Sequence, residues 1–149
     1  MTHRMVAALL ALVGLLISVY LWLWKVGAIG VLACGDGGCE TVQLSKYGDF
    51  LGVPVAFWGL LAYGGMLASA LLGLQPRWQM RREPTLGLLV LSGAGVLFSA
   101  YLTYLEAAVI HAWCRWCVVS AVLVTVIFLA ALIGWRTLAR GTAPDEPAG

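Results

Sequence analysis

The residues best suited to chemistry are four cysteines in two pairs. Cys34 and Cys39 bracket the segment Gly-Asp-Gly-Gly, and Cys114 and Cys117 bracket Arg115-Trp116. Thiols and disulfides trade electrons two at a time by thiolate attack on a sulfur–sulfur bond, so two pairs can form a relay. On a helix, residues three apart share a face and lie within reach of a disulfide, which suits Cys114 and Cys117. If that helix begins there, its unpaired N–H groups and dipole favour a thiolate, at Cys114 most of all. Arg115 adds positive charge, whereas the apolar surroundings of Trp113, Trp116 and the following span oppose the shift at Cys117, so its sign is open. The three glycines between Cys34 and Cys39 give that pair a mobile strap that can close on itself or reach another sulfur. Four cysteines allow three pairings, and a relay needs more than one of them.

The elements that hold these thiols must sit in lipid. The chain has 149 residues, 62% hydrophobic and 11% charged, where a soluble domain carries about 25% charged residues. Four apolar runs, Met5–Trp24, Val53–Leu74, Thr85–Ile110 and Trp113–Trp135, each suffice for a hydrocarbon core ~30 Å thick. They lack the alternation of barrel strands, and lipid leaves no backbone group unpaired, so they are expected to be helices. The fold class is therefore all-α, an integral membrane four-helix bundle with a long outer loop. One domain is expected over residues 1–140, with a disordered tail at 141–149. The first run has the positive start of a signal peptide (His3, Arg4), but its length and the absence of an Ala-x-Ala site mark it as a retained span. The third run is longer than a span requires and contains Glu106, so its last turn is expected to leave the hydrocarbon. The net charge of +2 forms no basic stripe, and no nucleic-acid partner is expected.

Basic residues orient the spans. Arg4, Arg77, Arg81, Arg82, Arg136 and Arg140 fall at one face, against Lys25, Lys46 and Arg115 at the other. By the positive-inside rule both termini are cytoplasmic, and all four cysteines lie outside, where disulfides persist. Trp22, Trp24, Trp58, Trp113 and Trp116 near the outer ends, with Trp78 and Trp135 near the inner ends, read as interface anchors. Small residues four apart, such as Gly14/Ser18 and Gly95/Ser99, permit close helix approach. Residues 25–52 form a long outer loop, 75–84 a short inner turn, and the connection near His111 a tight hairpin. Two static disulfides are an alternative to a relay, although a structural staple gains little from a Gly-rich strap. A four-cysteine zinc site is compatible with the spacing, but paired Cys-x2-Cys knuckles are the commoner pattern and an oxidising compartment opposes them.

At this point the residues resemble a known family. Cys34…Cys39, Ser45 six residues on, Gly52-Val-Pro-Val-Ala-Phe-Trp-Gly59 opening a span, and Tyr63 are similar to the vitamin K epoxide reductase family in its bacterial form. Tyr101-Leu-Thr-Tyr104-Leu-Glu106 and Cys114-Arg-Trp-Cys117-Val-Val-Ser120 continue the match. The resemblance implies a four-helix bundle around a quinone of menaquinone or ubiquinone type. It implies an outer cap with a short interfacial helix, expected within Thr41–Phe50. It also implies that Cys117 faces the quinone ring, that Cys114 exchanges with Cys39, and that Cys34 meets an external thioredoxin-fold partner. Ser45 matches the family's serine after the second loop cysteine; as a residue type in a loop it also suits a helix or turn cap. Trp58, Tyr101, Tyr104, Trp113 and Trp116 lie at a depth suited to the quinone. Animal members hold the vitamin through an asparagine and a tyrosine. This chain has no asparagine and carries Ala121 at the tyrosine position, so quinone reduction is expected rather than epoxide reduction. Many bacterial members carry a fused thioredoxin-like domain; here the partner is expected to be a separate extracytoplasmic protein. The other four-span type of quinone-linked oxidase has its Cys-x-x-Cys in the first outer loop, the reverse of the order here. A non-catalytic assembly subunit with structural disulfides remains the alternative of a different class.

Overall fold

The computed structural model describes residues 2–30, 38–78 and 81–141. Helix α1 runs Thr2–Lys25. Rich in Leu, Ala and Val and free of proline, it extends about 36 Å at 1.5 Å per residue. It ends where Gly27 takes a φ of 85°. There the Ala28 N–H donates to Leu23 O at 2.9 Å and the Gly27 N–H to Trp24 O at 3.1 Å, pairing carbonyls that the helix end would otherwise leave open.

Helix α2 spans Gly38–Leu44, and a small antiparallel hairpin follows, β1 (Asp49–Phe50) and β2 (Val53–Pro54). Next come α3 (Val55–Leu74) and α4 (Glu83–Tyr104), a π-helical segment (Leu105–Ile110), and α5 (Arg115–Gly141). Among the described residues four helices are long and apolar enough to cross a membrane: His3–Lys25, Val55–Leu74, Glu83–Ile110 and Arg115–Arg140. The protein is an all-α membrane bundle. The third span starts two residues earlier than the apolar run suggests. Pro84 lies in its first turn, where a missing N–H has no intrahelical partner to lose. The fourth starts later than expected, after Trp113, and runs on to Gly141.

The spans form a ring in which α1 and α4 each pack against both α3 and α5. Close approach depends on glycine at two places. A Cβ at Gly14 would overlap the Tyr63 ring, and one at Gly95 would lie 2.7 Å from Val124 Cγ2. Below the Tyr63 level the core is filled by Ala7, Ala11, Met66, Ala70, Ile127 and Ala131. Arg4 is buried there, and its guanidinium donates to Gly73 O and to Thr85 Oγ1, the latter at 3.1 Å. It thus ties the start of α1 to the end of α3 and the start of α4. Large apolar side chains such as Leu9, Leu16, Leu97 and Ile133 cover the outside, as a lipid-facing surface requires.

The interfacial helix lies earlier than expected: Gly38–Leu44 rather than within Thr41–Phe50. The Ser45 hydroxyl donates to Val42 O at 2.7 Å, and the Gly48 N–H to Ser45 O at 2.9 Å. These bonds turn the chain out of the helix, and Asp49–Phe50 becomes a strand. Phe50 pairs with Val53 across a turn in which Leu51 and Gly52 have φ of 56° and 78°. Lys25 locks this cap to the end of α1. Its ammonium donates to Gln43 O and sits 3.4 Å from Asp49 Oδ1.

Candidate active site

The Cys-x-x-Cys pair straddles the start of α5. Cys114 is the residue before the helix, and its carbonyl accepts the first helical bond, from the Val118 N–H at 3.0 Å. Its sulfur accepts from the Cys117 N–H at 3.3 Å, so the thiol occupies the place of a serine or aspartate N-cap. An orphan helix donor there is well placed to stabilise a thiolate. The Cys117 thiol donating to its sulfur holds Cys114 below the ordinary thiol range, with help from that backbone N–H and the Gln43 amide. Burial and the charge of Glu106 work against this shift. Cys114 is fully buried, Cys117 is half-buried, and both are free thiols.

Cys39 lies on α2, fully buried and disulfide-bonded. It shares a small apolar cluster with Cys114, Ile17, Leu21, Val42 and Ala56. The packing of α2 on α5 therefore brings one sulfur of the loop pair and one of the helix pair into a common core. Cys34 lies outside the described residues.

Below Cys117 the ring of helices forms a partly open cavity of about 110 Å³. This is the order of size of an apolar cavity of ~150 Å³ that admits benzene. The wall is mostly apolar, with Ile17 and Leu21 from α1, Ala62 and Met66 from α3, Phe98 and Leu102 from α4, and Val124 from α5. Ser18, Gly59, Gly95 and Ser99 also line it, so small residues that bring helices together also leave this space. Tyr63 closes one side, its hydroxyl donating to Ser120 O at 2.7 Å and lying 2.8 Å from Ser120 Oγ. The polar end gathers Cys117, Glu106 and Gln43. Gln43 is buried; its Nε2 donates to Cys117 Sγ at 3.5 Å, and its Oε1 has no partner among the described residues.

Of the aromatics selected by depth, only Trp58 lines this cavity. Its indole N–H donates to Phe50 O at 3.0 Å, joining the hairpin to the cavity wall. Tyr101, Tyr104 and Trp113 are exposed on the outside of the bundle. Trp116 packs edge-on against Tyr20, 5.7 Å between centroids, beside the cysteine cluster. The reason is angular. On α4 the cavity face carries Gly95, Phe98, Ser99, Leu102, Thr103 and Glu106, spaced by three or four, whereas Tyr101 and Tyr104 point away. Ser45 sits at the end of α2, outside the cavity.

Glu106 is the site residue whose setting differs most from that of a surface carboxylate. It does not lie at the protein's surface. Instead the helix widens into the π segment, His111 turns back with φ 57°, and Glu106 is left 2% exposed. Its Oε2 accepts from the Cys114 N–H at 3.2 Å, and its carbonyl accepts from the Ala112 N–H at 3.2 Å. One residue thereby fixes the approach to α5 twice. A signal for it existed in the sequence, since an ionisable residue within an apolar span marks a functional candidate. Gln43 had no such signal.

A model of the vitamin K epoxide reductase family matches residues 5–132 of the chain. The protein belongs to that family. The match runs from α1 into α5 and takes in both cysteine pairs, and membership makes this vitamin K epoxide reductase family protein a multi-pass membrane oxidoreductase.

Proposed function

We propose that the protein generates disulfides. It passes two electrons from a reduced extracytoplasmic thioredoxin-fold protein through Cys34–Cys39 to Cys114–Cys117, and from there to a membrane quinone. The observation that carries this reading is the position of Cys117, a free thiol in the wall of an apolar cavity of about 110 Å³ within the bundle. A soluble protein cannot enter such a space, and a lipid-soluble ring can. The residues present fit a quinone. Most of the cavity is hydrocarbon, and a buried Gln43 Oε1 without a partner among the described residues stands at its polar end, ready for a hydroxyl hydrogen. Quinones supply the two-electron acceptor chemistry, while the protein supplies orientation and excludes water. Either menaquinone or ubiquinone suits this chemistry.

The chain's own steps follow from its contacts. In the direction of electron flow, reduced Cys39 attacks the Cys114 sulfur of an oxidised Cys114–Cys117 pair, with Cys117 leaving. Cys114, held low in pKa at a helix start, is the leaving thiolate when the loop disulfide closes again. Its shared core with disulfide-bonded Cys39 favours exchange between those two sulfurs. Cys34 then becomes the sulfur open to the external partner. With the termini cytoplasmic, as the arginine distribution argues, the cysteines face the oxidising side of the cell membrane.

The test is direct. Purified protein is mixed with a reduced thioredoxin-fold substrate and a short-chain quinone, and quinone reduction is followed by absorbance. The account expects one quinone reduced per dithiol oxidised. A chain with both Cys34 and Cys39 replaced should fail with the protein substrate yet still turn over with dithiothreitol. Equal loss of both activities in an intact bundle would refute the shuttle.

A further inference from the structure

Oxidising a dithiol by a quinone moves protons as well as electrons. With Cys114 already a thiolate, the S–H bond of Cys117 breaks, an S–S bond forms, and two electrons pass to the quinone. Of the two protons of the hydroquinone, one is that of Cys117 and the other comes from water at the outer face. The electrons can leave through the sulfur that faces the cavity. The protons need groups able to hold them in a space walled by hydrocarbon.

Among the described residues lining the cavity, Glu106 is the one carboxyl. It is 2% exposed and forms no ion pair among the described residues. Its carboxylate touches the cysteine motif through the Cys114 N–H. It also lines the cavity together with Cys117 and Gln43, and all three recur around a smaller pocket just above it. The other ionisable groups nearby are Cys114 and Cys117 at the start of α5, Tyr63 on α3 and Tyr47 beyond α2. Tyr63 has its hydroxyl engaged with Ser120. Gln43, 3% exposed, gives the second observation: its unpaired Oε1 lies in the same polar end, where a proton-bearing oxygen would satisfy it.

From this juxtaposition we infer that Glu106 is the proton carrier between the Cys114–Cys117 pair and the cavity, with Gln43 the acceptor that holds the proton-bearing oxygen in place. Glu106 receives the Cys117 proton as the electrons depart and gives it up toward the quinone oxygen, returning to its starting state. The π segment is the device that makes this geometry. By widening the helix at Leu105–Ile110 it turns a carboxyl at the end of a span inward. The inference rests on the quinone reading above, and its test separates the two.

Glu106→Gln keeps an oxygen for the Cys114 N–H and removes the acid. Two measurements are made on wild type, Glu106→Gln and Glu106→Asp. The first is quinone reduction driven by dithiothreitol, alongside the quinone-independent rate at which Cys114 exchanges with a small disulfide. Glu106→Gln should lose about a hundredfold in quinone reduction, the range of general acid–base catalysis, while Cys114 exchange does not fall, because the charge that opposes the Cys114 thiolate is removed. Glu106→Asp should stay within about tenfold of wild type. The second uses no quinone. The reduced pair is oxidised with ferricyanide, which accepts electrons but no protons, while the infrared difference spectrum is recorded. A protonated-carboxyl band should grow in wild type and be absent in Glu106→Gln. Wild-type turnover in Glu106→Gln, or no such band in wild type, overturns the inference. If Glu106→Gln fails to hold the bundle, the wild-type band and the aspartate variant still decide. A wild type that cannot reduce quinone at all would instead refute the proposed function, leaving the infrared measurement to judge Glu106.

Discussion

Filling the cavity should make the protein more stable and less active. Ser99 lines the cavity from α4, and its carbonyl, not its hydroxyl, accepts the Thr103 side chain at 2.8 Å. Ser99→Leu therefore adds apolar volume with little loss. Void volume in protein cores costs ~24 cal/mol per Å³, so abolishing about 110 Å³ would be worth at most ~2.6 kcal/mol. One leucine fills part of that space, and a gain of about 1 kcal/mol is expected. For a chain of this size this corresponds to ~3 °C in melting temperature. Quinone reduction should fall at least tenfold, by a rise in KM, while Cys114 exchange with a small disulfide is unchanged. Ala62→Leu, approaching from α3, should reproduce the pattern. The assay pairs thermal melting in detergent with the two rates on the same preparations. A variant that melts higher and still reduces quinone with wild-type KM would show that the ring binds elsewhere, and the assignment of this cavity would fall.

Other outcomes follow from single contacts. With the loop disulfide closed, alkylation of reduced Cys114 should reach its plateau at a pH below the ordinary thiol range. A depressed pKa means that the thiolate is already the main form there, and Cys117→Ala should move the midpoint upward, because the Cys117 thiol is the largest cause of the shift. Leu51 has a φ of 56° in the hairpin turn, so Leu51→Asn should stabilise by about 1 kcal/mol; thermal melting reads this, and a lower melting point would contradict it. For topology, Lys46→Cys in a chain freed of its own cysteines should react with an impermeant maleimide on intact cells, and Arg81→Cys only after the cells are opened. The opposite result would invert the orientation.

The bundle was largely legible in the sequence because lipid imposes simple rules. Apolar length set the four spans to within a few residues, and the places where it missed were ends decided locally, such as Pro84 in a first turn or Cys114 capping α5. The cysteine spacing pointed to two pairs, and the fold packs one member of each, Cys39 and Cys114, in one cluster. Depth along a span was legible, but direction around it was not. Tyr101 and Tyr104 sit at the expected depth and face outward. The π segment escaped reading altogether, since an altered hydrogen-bond register has no residue signature as plain as Pro or Gly. It is also what turned Glu106 inward. Gln43 was invisible for a different reason: its burial depends on α2 folding over the ring, a tertiary event sealed by Lys25.

The central claim is an order of electron transfer, from the loop pair to Cys114 and then through Cys117 into the cavity. Cys117→Ser tests it most directly. Purified Cys117→Ser is incubated with a reduced thioredoxin-fold substrate and quinone, then alkylated, digested and mapped by mass spectrometry, while quinone absorbance is followed. The account predicts no quinone reduction and accumulation of a disulfide between Cys39 and Cys114. Continued quinone turnover by Cys117→Ser, or a stable bond between Cys34 and Cys114 in place of the Cys39–Cys114 link, would contradict it.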